Sequence, residues 1–345
     1  MSLQRGLQAL RLDMPDCIPH TQYISHDAFI QHITGLDTHD PATHHLVSPA
    51  LARALDYDLL WNITERPITG RETAMGHAEW SEINPQDNKV YCPFHTTEDV
   101  LAFDPVAEYG LNDHRETVAF FQQHLAKAYQ NYPGLIYTGG RYHSVFSACI
   151  RTFGWDMFLS SVPGNEETFG RILDGFARLS LVESQAWAET DIDAYICHDD
   201  ITWTSGPVFH PDWYRKYIFP HYEEIWAPLK AAGKKILYCS DGTFTPFIDD
   251  VAACGADGFI FEPTTSLEDI VQRYGNTHVI VGNVDCRALQ FGTKADIRAE
   301  VDRCIAIGRD CPGYFMAVGN HIPNGIPLAH VIYYFDYFNE VRHRR

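Results

Sequence analysis

The sequence predicts an α/β protein built as a (β/α)8 barrel of the TIM type, with residues 1–345 in a single domain. Eight short apolar segments have the character of buried strands, and from about residue 134 onward they alternate regularly with helical segments. Eight is the number of strands that closes a parallel barrel. An open, doubly wound sheet is the alternative, but the glycine-rich dinucleotide loop that usually follows its first strand is missing.

The predicted strands are short apolar runs that end in polar residues or glycine. The clearest is Lys235–Asp241, because an apolar run that closes on Asp-Gly is typical of a strand that enters a turn. Cys239 and Asp241 lie two residues apart, so we expect their side chains to project to the same side. The strands are predicted at residues 18–23, 57–63, 134–140, 193–199, 235–241, 257–262, 278–283 and 313–318.

Helices are predicted between these strands, and several of them precede a glycine suited to a helix C-terminus, as in Ala232-Gly233. The helical segments are 51–55, 97–103, 114–131, 166–188, 211–232, 244–254, 266–274 and 294–307. We expect residues 1–50 to be an irregular N-terminal segment. Residues 64–110 form a long excursion that we expect to cover the mouth of the barrel, since long loops in compact domains are usually functional.

The charge balance excludes some classes of partner. The chain has 26 Lys and Arg against 45 Asp and Glu, a formal net charge of −19. This charge argues against nucleic acid and against an anionic membrane surface, because both are bound through clustered basic residues. We therefore expect a small-molecule ligand, and an anionic one would need a local cationic pocket.

The sequence also indicates a compartment. No apolar run approaches the roughly 20 residues of a membrane span. The first residues, Met-Ser-Leu-Gln-Arg-Gly, carry no basic segment followed by an apolar core. Nine cysteines at irregular spacings contain no Cys-x-x-Cys pair and are typical of reduced thiols. We expect a cytoplasmic protein.

Polar side chains follow nearly every predicted strand, and in a parallel barrel the catalytic residues lie at the carboxyl ends of the strands. A set of this kind is hard to attribute to packing, so we predict a functional pocket. The candidates are Arg141, His143, His198, Asp199, Asp200, Cys239, Asp241, Glu262, Asn283, Asp285, Asn320 and His321.

Acid–base chemistry is predicted at His198 and Asp199, with Asp241 as a further catalytic residue, because adjacent carboxylates raise each other's pKa and a histidine moves protons near neutral pH. Arg141 is the predicted carboxylate anchor, and its alternative is an ion pair with one of the nearby Asp residues. The remaining predicted substrate-binding residues are His143, Asp200, Asn283, Asp285 and His321. Asp200 has the alternative role of capping the loop that follows.

A metal site is a second interpretation of the strand ends. Cys239, Asp241 and Glu262 lie on neighbouring strands, and Asn320 or His321 would complete the shell. One thiolate among oxygen ligands suits zinc, whereas a harder ion such as magnesium or manganese is favoured without it. The alternative is a hydrogen-bonded polar cluster that holds no metal.

From about Gly134 onward the chain resembles the uroporphyrinogen decarboxylase superfamily, which includes the corrinoid-dependent methyltransferases. The resemblance implies a (β/α)8 barrel with its site at the C-terminal mouth, and a homodimer. It rests on Gly139-Gly140, Phe153-Gly154-Trp155, His198-Asp-Asp200, Gly206-Pro207, Ser240-Asp-Gly242, Gly255-Ala-Asp-Gly258, Gly282-Asn-Val-Asp285 and the Gly319-Asn…Ile322-Pro323…Pro327 tail.

The chain departs from both branches of that superfamily. Residues 1–50 lack the Arg-Gln-Ala-Gly-Arg motif of the decarboxylases and contain only the isolated Arg5 and Arg11. The methyltransferases bind zinc through a His-x-Cys pair and a later Cys, whose positions resemble Cys239, Asp241 and Asn320 here. The related methionine synthase barrels place a metal-binding carboxylate where this chain has Glu262. We therefore expect a divergent member.

Three functional hypotheses follow. The first is a decarboxylase-like lyase that acts on a carboxylated small molecule other than uroporphyrinogen, with His198–Asp200 as the proton donor. The second is a metal-assisted methyltransferase or demethylase that works with a corrinoid partner. The third is a non-catalytic barrel that binds a ligand in the same pocket.

Overall fold

The computed structural model describes residues 2–73 and 92–344, and parallel strands surrounded by helices dominate this part of the chain. In chain order the described strands are β1 (Leu59–Leu60), β2 (Ile136–Tyr137), β3 (Gly139–Arg141), β4 (Ala194–His198), β5 (Thr202–Trp203), β6 (Gly206–Pro207), β7 (Lys235–Ser240), β8 (Gly258–Phe261), β9 (Val279–Val281) and β10 (Tyr314–Phe315). Of these, β5 and β6 form an antiparallel hairpin after β4, outside the main sheet.

Backbone hydrogen bonds close the main sheet into a barrel. The sheet runs β10-β9-β8-β7-β4-β3, and β3 continues β2, which pairs with β1. The predicted strand at 18–23 completes the ring as isolated bridges: Met316 N–H donates to Pro19 O at 2.9 Å, and Asp58 N–H donates to His20 O at 3.2 Å. Pro19 has no N–H for a ladder, so this segment is not a regular strand. The TIM-type barrel is confirmed.

The strands bury both faces, and the period of two divides their side chains into two layers. In β7, Leu237 and Cys239 belong to the cluster of buried side chains that fills the barrel. Ile236 and Tyr238 point the other way and join the larger core between the barrel and its helices. This alternation decides which residues at the end of a strand face the barrel mouth.

The helices cover the outside of the barrel. In chain order the described helices are α1 (Leu3–Leu10), α2 (Asp27–Thr34), α3 (His44–Ala54), α4 (Thr97–Leu101), α5 (Pro105–Tyr109), α6 (His114–Asn131), α7 (Phe146–Ser161), α8 (Glu166–Ala188), α9 (Pro211–Tyr217), α10 (Phe219–Ala231), α11 (Ile248–Ala253), α12 (Leu267–Tyr274), α13 (Cys286–Phe291), α14 (Lys294–Gly308) and α15 (Leu328–Val341), with a 3-10 turn at Thr245–Phe247.

The structure corrects three expectations about the helices. Residues 1–50 are not irregular, because they contain α1, α2 and most of α3. The helix predicted at 211–232 is two helices that meet at Ile218. The sequence analysis also missed α5, α13, α15 and α7, and in α7 Gly154 at φ 71° interrupts the helical backbone in a region that favours glycine.

Within the predicted excursion at 64–110, the structure shows α4 and α5. Residues 74–91, including the alternating patch at 76–80, lie outside the described residues, so the predicted covering of the barrel mouth stays a prediction. All nine cysteines are free, as the sequence predicts. No helix in the described ranges is both long and apolar enough to cross a membrane.

Candidate functional site

A cavity of about 870 Å³ opens at the carboxyl ends of the barrel strands. Its deeper wall is apolar and its rim is polar and aromatic. Five of the predicted site residues line it, namely His198, Cys239, Asp241, Asn320 and His321, and they are joined by Gln22, Tyr23, Trp61, Tyr142, Ile260 and Val281. The sequence analysis therefore located the pocket, although only part of its predicted set lies there.

Three polar residues at the ends of β4 and β7 form a cluster, which we call the acid–base trio: His198, Asp200 and Asp241. His198 and Asp241 line the cavity directly, and Asp200 contacts His198. The His198 Nε2 atom lies 3.0 Å from Asp200 Oδ1. The same oxygen accepts a hydrogen bond from the backbone N–H of Asp241 at 2.7 Å. Asp200 therefore links the imidazole to the loop that carries the second carboxylate.

The alternation of β4 explains this geometry. Ala194 and Ile196 belong to the cluster inside the barrel, so His198, two residues further on, continues on the inward face. His198 is paired in register with Cys239 on the neighbouring strand, and Asp241 follows Cys239 by two residues. The inward face of two adjacent strands thus places the imidazole, the thiol and the carboxylate together.

The environment shifts the pKa of each of these groups. Burial raises the pKa of the Cys239 thiol to about 11, so the thiol keeps its proton at neutral pH. Burial opposes the charged form of His198 too, but Cys239 and the Asp200 carboxylate raise the pKa of His198 well above its ordinary value. With a neutral thiol, Asp200 is the partner that favours the imidazolium. Burial and the charge of Asp200 raise the pKa of Asp241 to about 7.

Asp199, predicted to be catalytic, has a different environment. It lies on the outward face of the strand and is fully buried. Its carboxylate accepts hydrogen bonds from Tyr222 OH at 2.8 Å and from backbone N–H groups at the start of α7, including Phe146 at 3.0 Å and Ser147 at 2.6 Å. These bonds occupy both oxygens, so we assign Asp199 to anchoring α7 rather than to chemistry.

Arg141, predicted as a substrate anchor, is buried outside the cavity. Its Nη1 atom lies 2.6 Å from Glu183 Oε2, and its Nε donates to the His143 carbonyl at 3.1 Å. Arg141 is thus ion-paired, as the alternative expected, but its partner is Glu183 and not one of the nearby Asp residues. His143 is likewise engaged, with its Nδ1 atom 3.1 Å from Glu65 Oε2.

Asn283 and Asp285, also predicted to bind substrate, line a separate polar pocket of about 180 Å³. Asn283 accepts a hydrogen bond from Arg303 Nη2 at 3.0 Å and donates to Thr265 O at 2.9 Å. Asp285 caps α13 and pairs with Arg287 at 2.6 Å. Both side chains hold the loops after β8 and β9 and do not reach the cavity.

The structure separates the predicted metal ligands: Glu262 and Asn320 bind each other, whereas Asp241 belongs to a different cluster. Asn320 Nδ2 donates to Glu262 Oε1 at 3.1 Å, and the Gly242 N–H donates to Glu262 Oε2 at 2.8 Å, so Glu262 supports the rim. Among the described residues, the cluster suited to a metal is the acid–base trio, whose ligand atoms lie within 4.8 Å of one another. One imidazole and two carboxylates fit zinc or a harder divalent ion. Of the predicted ligands, only Asp241 belongs to this cluster.

The sequence analysis missed Tyr142 and Trp61, although both line the cavity. The Tyr142 ring stacks on His198 at 3.9 Å between centroids, and its hydroxyl donates to Asp200 Oδ2 at 3.2 Å. Trp61 meets His198 edge-on at 5.6 Å. Tyr142 lies between Arg141 and His143 in the sequence, so the end of the strand was the available signal. A phenol does not titrate near neutral pH, so a search for titratable side chains at strand ends does not select Tyr142.

Solved structures with the same architecture include a methyltransferase from Methanosarcina mazei. It shares 18% sequence identity with this chain, covers 99% of both chains and superposes with a TM-score of 0.66. At this identity the likeness establishes the fold, and it agrees with the barrel described above.

Curated relatives connect the chain to a family. It is 26% identical to the uroporphyrinogen decarboxylase of Thermus thermophilus over 178 residues, 52% of this chain and 50% of that protein. It is 31% identical to the enzyme of Salinispora tropica over 109 residues, 32% and 29% of the two chains. The matches thus span half or less of these relatives. The family model for uroporphyrinogen decarboxylase (URO-D) matches residues 140–341, which is more than half of the chain. The chain therefore belongs to the uroporphyrinogen decarboxylase family.

Proposed function

We propose that this protein is a lyase that decarboxylates a small organic acid in the barrel-mouth cavity, with His198 as the proton donor. The observation that carries the proposal is that His198 lines this cavity while its Nε2 atom lies 3.0 Å from Asp200 Oδ1. In the reaction, the bond between the substrate carbon and its carboxylate breaks and carbon dioxide leaves. The electron pair stays on the carbon and takes the proton of His198, which is replaced from solvent.

The surroundings of His198 support this role. Asp200 accepts from the imidazole and favours its protonated form, which is the form that a donor needs. Ile260 and Val281 give the cavity an apolar inner wall. A carboxylate loses its charge as it becomes carbon dioxide, so an apolar wall favours the product over the charged substrate.

The charges around the cavity restrict the substrate. None of the residues that line it within the described ranges is a lysine or an arginine. Arg141 is paired with Glu183, and Asp241 adds negative charge when it is ionised. A molecule with many carboxylates would find one cationic partner among these lining residues, the His198 imidazolium, and no second one for its other carboxylates. We therefore infer a substrate with a single carboxylate, in agreement with the missing arginine motif in residues 1–50.

Metal-assisted methyl transfer is the second candidate, and the compact geometry of the acid–base trio favours it. His198, Asp200 and Asp241 would hold the ion. A divalent ion bound there would supply a Lewis acid that activates a methyl donor or acceptor. The Methanosarcina mazei neighbour is itself a methyltransferase. Under this proposal a corrinoid protein is the methyl-carrying partner.

The test measures carbon dioxide release from a panel of monocarboxylic acids, using protein purified with and without a chelator. We expect release that His198→Gln abolishes. His124→Gln is the control, because His124 is half-buried and binds Tyr137 on the outer side of the barrel. Unchanged turnover in His198→Gln would overturn the proposal.

Elemental analysis separates the candidates. Stoichiometric zinc or manganese, together with cobalamin-dependent methyl transfer and no carbon dioxide release, would support the second candidate. Protein without metal would eliminate it. A panel member that raises the melting temperature while no substrate is turned over would support the non-catalytic ligand-binding barrel.

A further inference from the structure

Glu65, which lies outside the cavity, binds the backbone of Tyr142 and His143 beside the acid–base trio. It lies in the segment that follows β1, and its side chain is 16% exposed. Its Oε1 atom accepts two hydrogen bonds, from the N–H of Tyr142 at 2.7 Å and from the N–H of His143 at 2.8 Å. Its Oε2 atom lies 3.1 Å from His143 Nδ1 and 3.4 Å from Arg151 Nη1. One carboxylate therefore fixes two consecutive residues after β3.

Tyr142 connects Glu65 to the residues of the cavity. Glu65 binds the backbone of Tyr142, and the ring of Tyr142 stacks on His198 with an interplanar angle of 20°. Its hydroxyl donates to Asp200 Oδ2, while the other oxygen of Asp200 contacts His198. Tyr142 thus touches both members of the proton-donating pair, and its position depends on a residue from a different strand end.

The charge of Glu65 makes the contact strong. Burial favours the neutral acid, but the Arg141 guanidinium and the hydrogen bonds from His143 hold the pKa of Glu65 well below its usual range. Hydrogen bonds from N–H groups to an ionised carboxylate are stronger than those between neutral groups. The carboxylate therefore stays ionised at pH values at which an ordinary glutamate takes up a proton.

We propose that Glu65 is a positioning residue, which orients the His198–Asp200 pair by fixing Tyr142. Its effect on catalysis rests on the proposed function, whereas the effect on orientation does not. Glu183 is the natural comparison. It is a buried carboxylate in the same ionic network, it pairs with Arg141, and it accepts a hydrogen bond from the backbone of Arg66 rather than that of Tyr142.

The test is spectroscopic and uses the full chain without ligand. Histidines carry carbon-13 at Cε1, and the signal of His198 is assigned by its absence in His198→Asn. A ring stacked on an imidazole displaces the imidazole proton signals upfield. We expect Glu65→Gln to lose this displacement as Tyr142→Leu does, because only one end of the glutamine amide accepts, so it cannot serve the N–H groups of Tyr142 and His143 and the Arg151 guanidinium at the same time. Glu183→Gln should keep it.

An unchanged His198 signal in folded Glu65→Gln would overturn the proposal, and so would an equal loss in Glu183→Gln. If Glu65→Gln does not fold, Glu65→Asp replaces it, since the shorter acid keeps the charge but cannot reach both N–H groups. An unchanged signal in Glu65→Asp would equally count against the proposal. The readout needs no turnover, so failure of the lyase assignment leaves it intact.

Turnover, once measured, adds a second readout. We expect Glu65→Gln to lower kcat on the order of tenfold to a hundredfold, with a smaller change in KM, because a small misplacement of a catalytic group is costly. If Glu65 acts through Tyr142, then Glu65→Gln combined with Tyr142→Leu is no slower than the slower single variant. A double variant whose loss in kcat is the product of the two single losses would contradict an effect of Glu65 through Tyr142.

Discussion

At the scale of single residues, the three consecutive positions His198-Asp199-Asp200 separate into two functions. At the end of β4, His198 lines the cavity and Asp200 contacts it from the same side, whereas Asp199 turns toward α7. Sequence neighbours in a strand point in opposite directions, so three adjacent titratable residues cannot all serve one site. The proposal above therefore assigns chemistry to the first and third positions only.

Asp199→Asn should damage stability rather than chemistry. Its carboxylate accepts hydrogen bonds from Tyr222 OH and from N–H groups at the start of α7. In the asparagine variant an NH2 group replaces one of the accepting oxygens, and it cannot accept from these donors. We expect a loss of about 2–3 kcal/mol in the free energy of unfolding, measured with urea. The folded variant should keep its activity. A stable but inactive Asp199→Asn would return this residue to the catalytic set.

Asp241→Asn should stabilise the protein above neutral pH. The folded pKa of about 7 lies above the ordinary value of about 3.9, so the folded state binds the proton more tightly than the unfolded state. Stability is then lost as pH rises from about 4 to 7. The asparagine removes this loss, so the gain in melting temperature over the parent should grow across that window and level off above it. A gain that is independent of pH would contradict the raised pKa.

At the scale of elements, loops after neighbouring strands pack closely enough to require glycine. Gly242, after β7, has φ +76°, and a Cβ atom there would lie 2.7 Å from backbone atoms of Trp203 in the β5–β6 hairpin. Thr243 N–H donates to Trp203 O at 3.0 Å across the same contact. The hairpin is thus held against the loop that carries Asp241.

Gly242→Ala should therefore cost more than the strain of a positive φ alone. We expect a loss of about 2–4 kcal/mol, from roughly 1 kcal/mol of left-handed strain plus the clash with backbone that cannot yield. Gly35→Ala is the matched control, because Gly35 has φ +73° and nothing within 4 Å of the added atom. Chemical denaturation of both variants gives the difference. Equal losses would mean that the hairpin moves away freely.

At the scale of the whole molecule, one buried carboxylate joins both ends of the described chain to the barrel. Asp58 is fully buried, and it accepts from Arg5 Nε at 2.7 Å and from His20 N–H at 3.0 Å. Arg342, just after α15, reaches the same carboxylate at 3.3 Å. The closing segment of the barrel, α1 and the end of α15 therefore meet at one residue.

Asp58→Asn should lower the free energy of unfolding by about 3–5 kcal/mol, because it removes the close carboxylate partner of the buried Arg342 and one of the two that pair with Arg5. Asp56→Asn is the control. Asp56 also pairs with Arg5, at 2.7 Å, but its side chain is 46% exposed, and exposed pairs contribute about 1 kcal/mol or less. Thermal unfolding at one ionic strength compares the two. Similar losses would show that Asp58 is not the centre of this junction.

Much of the fold could be predicted because it depends on local patterns. Apolar runs of strand length and glycines after helices gave the strand count and the order of the elements. The errors occurred where local signals are weak: the bridges around Pro19, the helices before residue 50, the interrupted α7 and the short α5 and α13. The longer α15 was also missed, and it has no side-chain cap and no acidic residue in its first turn. The site was predicted less completely, because the position of a polar residue at the end of a strand does not reveal its partner.

The sequence by itself determined the barrel, the family resemblance and the placement of polar residues around one mouth, since periodicity and motifs are properties of the chain. Only the tertiary structure decided which polar residues meet. It paired Arg141 with Glu183, turned Asp199 outward and brought His198, Asp200 and Asp241 together. The physical reason is that buried charges must be compensated, and the compensating groups come from segments far apart in the sequence.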